Sequence, residues 1–204
     1  MRIMPFVLAI AAFFAAPAMA EEAEFTLVES HGAFEIRDYP SLIVAEVEVE
    51  GTRRGASNSG FQPLANYIFG DNRPREQIAM TAPVTFTRAG AEIAMTAPVN
   101  RSPAGDGRWT VAFVMPSAWT METLPVPNDE SVTLRETQAR RMAVMRFSGL
   151  MGERRVAGKL AELEAFMAEQ GLQALSAPSY AAYDPPWTPA PMRRNEIWIE
   201  IVSR

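Results

Sequence analysis

The residue types able to carry chemistry are few in this chain of 204 residues, which has no cysteine and one histidine, His31. Without cysteine there are no disulfides, thiolate metal sites, thioether-linked prosthetic groups or thiol nucleophiles. Any serine–histidine triad or histidine-based zinc site would have to pass through His31. That residue lies in the polar, glycine-adjacent turn ESHGAF and reads as a surface side chain, with ligation of a metal as the alternative. The acid pairs Glu46/Glu48 and Glu162/Glu164 fall on the polar sides of a strand and a helix and read as solvated surface. For acid–base work, as in a small-molecule hydrolase, Tyr183 and Glu196 are the one pair of suitable type. Trp187, in the stiff run Asp184-Pro185-Pro186-Trp187, precedes Arg193 and Arg194. An apolar ring face beside two guanidinium groups suits a flat carboxylic acid. Alternatively, the loop seals one end of the fold while Arg193, Arg194 and Glu196 satisfy internal charges.

These residues need a scaffold, and 48% hydrophobic with 21% charged residues is the composition of a folded chain with a sizeable core. In Phe34 to Gly51, Val47 and Val49 alternate with Glu46, Glu48 and Glu50, the pattern of a half-buried strand. Phe61, Leu64, Ala65 and Ile68 follow at helical spacing before Gly70, which predicts an amphipathic helix starting near Ser59 or kinked at Pro63. Val132 to Gly149 repeats the first block at an offset of 98 residues, aligning Arg37 with Arg135, Ala45 with Ala143 and Gly51 with Gly149. A second helix, with Val156, Leu160, Leu163 and Met167 on one stripe, follows it. Strand-rich pieces come after each helix, and Pro116 to Ser131 connects the halves.

The expected fold is therefore α+β: a distorted β-barrel built from two pseudo-symmetric β-α-β-β repeats, about 25–115 and 132–204, sharing one core with the helices outside. The heptapeptide IAMTAPV occurs at Ile78 to Val84 and again at Ile93 to Val99, and the two copies are expected to pair as a hairpin ending at its prolines. Packed core is the plain reading of its methionines; Met80 or Met95 lining a ligand cavity is the other.

Residues 1–20 carry one positive charge, Arg2, then an apolar run and Ala18-Met19-Ala20, the layout of a cleaved secretory signal peptide. Export to the periplasm or outside the cell is expected, with no membrane span after cleavage and no cysteine for lipid anchoring. Cleavage leaves 18 basic against 24 acidic side chains, a net charge of −6, which disfavours nucleic acid as a partner.

Taken in order, FEIRDYP, YIFGDN, IAMTAPV, FVMPSAWTMETLPVPND, YDPPWTP and RRNEIWIE resemble the SOUL heme-binding protein family across nearly all of the chain. The resemblance implies noncovalent binding of heme or related tetrapyrroles, as a carrier or buffer without catalysis. By the same resemblance the groove would be lined by Phe61, Leu64, Ala65 and Ile68 on the first helix and by Tyr183 and Trp187 in the last loop. The family's basic positions fall here on Asn58 and Thr188, leaving Arg193 and Arg194 for the propionates, and a histidine proposed as axial ligand in some relatives is Asp38 here. A binding module for another apolar small molecule or a lipid is the alternative from the same groove.

Overall fold

Alternation along the strands decides which side chains are buried, and the helices decide against what. The computed structural model describes residues 21–75 and 90–202. In chain order the elements are β1 (Glu21–Glu22), β2 (Thr26–His31), β3 (Phe34–Tyr39), β4 (Ile43–Glu50), α1 (Arg53–Ile68), β5 (Asn72–Arg73), β6 (Thr96–Ala97), β7 (Val99–Gly105) and β8 (Arg108–Val114). They continue with β9 (Val126–Pro127), β10 (Thr133–Glu136), β11 (Arg140–Ser148), α2 (Glu153–Glu169), β12 (Ser179–Ala182) and β13 (Arg194–Ile201).

Nine strands form one sheet in the order β10-β4-β8-β7-β12-β13-β11-β3-β2, antiparallel throughout. The outer strands β10 and β2 do not pair with each other among the described residues. The first copy of IAMTAPV, with Met80, lies outside the described residues, as does the signal segment. In the second copy Ile93 is buried, Met95 is half exposed, and Thr96–Ala97 pairs in parallel with Glu21–Glu22.

Helix α1 covers β4 and β8. Ala45, Val47, Val111 and Phe113 of the sheet meet Leu64, Tyr67 and Ile68 of the helix in one apolar cluster. Helix α2 covers β11 and β13 in the same way, with Ala143, Met145, Ile197 and Ile199 against Val156, Leu163 and Met167. Each fully buried aliphatic side chain contributes about 1.5–3 kcal/mol. These clusters hold both helices on the sheet.

The first helix differs from its sequence-based expectation. It begins at Arg53, not Ser59, and runs unbroken through Pro63. The Thr52 hydroxyl caps it by accepting from the Gly55 amide at 3.2 Å, and the buried stripe is Ala56, Gly60, Leu64 and Tyr67. Small residues in the first two turns let the helix backbone approach the sheet closely, and that packing outweighs the roughly 3 kcal/mol that an interior proline costs. At Gly60 a methyl group would stand 2.5 Å from Val111 Cγ2 and 2.7 Å from its Cβ. Gly60→Ala should therefore destabilise the protein by about 1–3 kcal/mol, whereas helix propensity alone would stabilise it by about 1 kcal/mol. The sign of the change in urea unfolding decides between packing and propensity.

Candidate functional site

Three of the helix residues that the resemblance places in a ligand groove point into the core. Leu64 is 0% exposed, Ala65 5% and Ile68 2%, because the stripe that faces the sheet is theirs and not that of Phe61. Phe61 lies at the edge of this cluster, 38% exposed, its ring 5.4 Å from that of Phe113. Asn58 is exposed on the same helix.

The loop between β12 and β13 separates its residues in an equally definite way. Arg193 folds back on the loop, donating from Nε to the Thr188 carbonyl at 2.7 Å and from Nη2 to the Pro186 carbonyl. Trp187 is 83% exposed. Tyr183 and Arg194 instead turn to the sheet face away from the helices, where they meet Glu196.

Glu196 is wholly buried and its carboxylate is saturated with donors. Oε2 accepts from Arg37 Nη1 at 2.9 Å, the Tyr183 hydroxyl at 2.6 Å and Trp198 Nε1 at 2.7 Å. Oε1 accepts from Arg37 Nη2 at 3.1 Å and from Arg194 Nε and Nη2 at 3.1 and 3.0 Å. Arg37, also wholly buried, donates from Nε to Glu35 at 2.7 Å and from Nη1 to the Tyr39 hydroxyl at 3.0 Å. Burial pushes the Glu196 carboxyl up, but the Arg37 hydrogen bond and charge, the Tyr183 hydroxyl and the Arg194 charge outweigh it and hold it below its ordinary 4.5. Burial, then the Glu196 charge and hydrogen bond, push the Tyr183 phenol well above its ordinary range. The two residues nominated for acid–base chemistry do meet, as a locked ion-pair network.

Glu35, Arg37 and Tyr39 share one face of β3, and all three are buried. They are covered because residues 21–25 lie across them. Glu22 accepts two hydrogen bonds from Arg194 Nη1, both at 2.9 Å, Ala23 packs on the cluster of Tyr39 and Trp198, and the Phe25 ring lies 4.3 Å over the Arg37 guanidinium. Asp38 takes no part, being paired through two 2.7 Å hydrogen bonds with Arg141 of β11.

Among the described residues, two of the clefts have ligand-like volumes. One, of about 390 Å³, lies beside residues 21–24 and carries Glu21, Glu22, Glu24, Glu122 and Glu136 in its walls. The other, of about 760 Å³, lies between the start of α2 and the last loop, lined by residues 148–150 and 152–155 with Ala190 and Pro191. Its walls carry one acid, Glu153, and two bases, Arg154 and Arg155, neither of which has an ion pair among the described residues. Gly149, at φ +100°, gives Arg155 its place, since a Cβ there would stand 2.9 Å from the guanidinium carbon. Leu150 is 56% exposed at this cleft, and Gly152, the N-cap of α2, provides no side-chain cap to the first-turn amides. No group of three or more His, Cys, Asp or Glu able to hold a metal ion occurs among the described residues, and His31 is at the surface beside Glu29, 3.2 Å away.

Removing one partner of a buried ion pair costs about 3–5 kcal/mol, so Glu196→Gln should lower stability by that order at neutral pH. Because Glu196 binds its proton less tightly folded than unfolded, its contribution is complete above pH 4.5 and lost as pH falls below that value. Denaturant titrations between pH 3 and 7 should show the difference between wild type and Glu196→Gln shrinking with acid. A difference independent of pH would refute this account of the network.

The family model described as SOUL heme-binding protein matches residues 20–200. No match is found among the curated proteins. Among solved structures, the EcmrR C-terminal domain is similar at TM-score 0.59 and 10% identity, over 84% of this chain and 98% of that one. An uncharacterized conserved protein from Listeria innocua is similar at TM-score 0.54 and 15% identity, over 91% and 94%. A hydrolase from Listeria innocua is similar at TM-score 0.54 and 14% identity, over 86% and 94%. At such identities these likenesses concern the fold alone, an α+β arrangement of a large antiparallel sheet and two helices. The family match spans both helices and the nine strands of the main sheet up to Glu200 of β13, and on that ground the chain belongs to the SOUL heme-binding protein family.

Proposed function

We propose that this protein binds heme or a related tetrapyrrole noncovalently, as an exported carrier or buffer without catalysis, and that the ligand sits in the cleft between the start of α2 and the last loop. Family membership supports the ligand class. The observation that carries the location is the pairing, in one cleft of about 760 Å³, of apolar Leu150, Ala190 and Pro191 with the unpaired guanidiniums of Arg154 and Arg155. A porphyrin acid needs both: an apolar surface for its ring and cations for its carboxylates. The smaller cleft, with five glutamates in its walls, would repel the same ligand. Because the lining offers no histidine, cysteine or methionine, the ring would be held by shape and charge, and iron-free porphyrin should bind as well as hemin.

The state of Glu196 supports a reading without acid–base catalysis at the Tyr183–Glu196 pair. A carboxylate with six hydrogen bonds and a lowered proton affinity is a poor base, and a phenol with a raised one is a poor acid. The strand order also supports an origin by duplication. From β10 to β3 it maps onto itself end for end, pairing β10 with β3, β4 with β11, β8 with β13 and β7 with β12. Such a layout suits the distorted half-barrels expected of the family. Residues 1–20 support export, and no helix among the described residues is long and apolar enough to cross a membrane.

Titrating the purified protein with hemin, and separately with mesoporphyrin IX, should give saturable Soret changes of similar affinity. The double variant Arg154→Gln/Arg155→Gln should weaken both by about tenfold to a hundredfold, the equivalent of one charge-assisted hydrogen bond. No saturable change with either ligand would overturn the reading. Undiminished affinity in the double variant would remove the assignment to this cleft.

A further inference from the structure

Two arginines behind this cleft lack an ion-paired partner among the described residues, and of the two only Arg53 is in reach of an acid, the cleft-lining Glu153. Arg101, on β7, is 6% exposed, yet its guanidinium donates only to neutral acceptors, the Ser57 hydroxyl at 2.6 Å and the Met151 sulfur at 3.3 Å. Its Nε has no partner at all. Arg53, on α1, donates from Nη2 to the Met151 carbonyl at 2.9 Å and lies with its guanidinium carbon 5.1 Å from the centre of the Tyr180 ring. Neither forms an ion pair among the described residues, and the two repel each other. Burial and the neighbouring Arg53 charge pull Arg101 down to about 10, a measure of how poorly its charge is compensated.

The contrast with Arg37 is instructive. That arginine, equally buried, faces two carboxylates. Arg101 faces a thioether, one of the weakest acceptors among side chains. A buried cation in such company is costly unless an anion joins it for part of its working life. Met151, which receives both arginines, lies between Leu150 and Gly152 in the loop that lines the cleft. The loop thus separates a ligand-sized space from two cations whose hydrogen bonds go only to neutral acceptors.

We propose that Arg53 and Arg101 form a carboxylate receptor behind the 149–152 loop, and that an acid group of the ligand replaces the Met151 carbonyl and sulfur as their acceptor. The ligand class is an amphipathic carboxylic acid with an apolar body. Identification of that body as a tetrapyrrole rests on the function proposed above; the receptor itself does not. Arg154 and Arg155, at the mouth of the cleft, are left for a second acid group.

Two measurements test this separately. Thermal midpoints of the wild-type protein in sodium acetate and in sodium chloride, at equal pH and ionic strength, should show a rise specific to acetate. That increment should vanish in Arg101→Met and in Arg53→Met, the latter at a half-buried position that tolerates substitution if the former fails to fold. No acetate increment in the wild type, or one that persists in the variants, overturns the receptor. Mesoporphyrin IX should also bind more tightly than its dimethyl ester, a preference that falls about tenfold to a hundredfold in either variant. A preference undiminished in both variants overturns the receptor's role toward that ligand. If the acetate increment is present and arginine-dependent while neither porphyrin binds, the receptor stands and the tetrapyrrole function falls.

Discussion

A guanidinium and a carboxylate with no exposure to water, Arg37 and Glu196, join the second-to-last strand of the sheet's far edge to its C-terminal strand across β11. Neither charge is tolerable there alone, so each requires the other within hydrogen-bond distance. The fork of Arg37 accepts one alignment of β3 against β13, and Trp198, Tyr183 and Arg194 then occupy the remaining positions around the carboxylate. Residues 21–25 complete the arrangement from above, supplying Glu22 to Arg194 and the Phe25 ring to Arg37. The constraint also decides chemistry. A carboxylate committed to so many donors, with its proton affinity lowered, is a poor general base.

The helix side of the sheet follows the opposite logic. Two apolar clusters, one under each helix, meet near the middle strands β7 and β12, where Trp109 packs against both. It is at this seam that Arg53 and Arg101 stand with neutral partners only. Among the described residues, then, the cations around Arg37 are closed by the protein's own acids, whereas Arg101 is not. The cleft and its exposed apolar rim adjoin the latter.

Much of this was readable from residue order. The valine–glutamate alternation of 46–50 located β4, and of the predicted α2 stripe Val156, Leu163 and Met167 are buried and Leu160 partly so. The first helix was harder to read because its sheet-facing residues at the N-terminal end are Ala56 and Gly60, which add little to an apolar count, while Phe61 beside them adds a great deal and stays partly outside. Close backbone approach favours small residues where periodicity searches look for large ones. Arg37 is hidden for a related reason: in a strand, a face of Glu, Arg and Tyr carries no sign of burial until another segment is laid over it.

Sequence by itself determined the family, the two helices and most main-sheet strands, because these depend on residues near each other in the chain and on the order in which motifs follow one another. It also removed cysteine and multi-histidine chemistry outright. Only the tertiary structure decided that Leu64, Ala65 and Ile68 fill a core, that Tyr183 and Arg194 serve Glu196, and that Arg154 and Arg155 border a cleft with the last loop. Those outcomes rest on partners far apart in sequence, up to 172 residues for Glu22 and Arg194. Burial and ion pairing are properties of such distant neighbours, and local spacing carries no record of them.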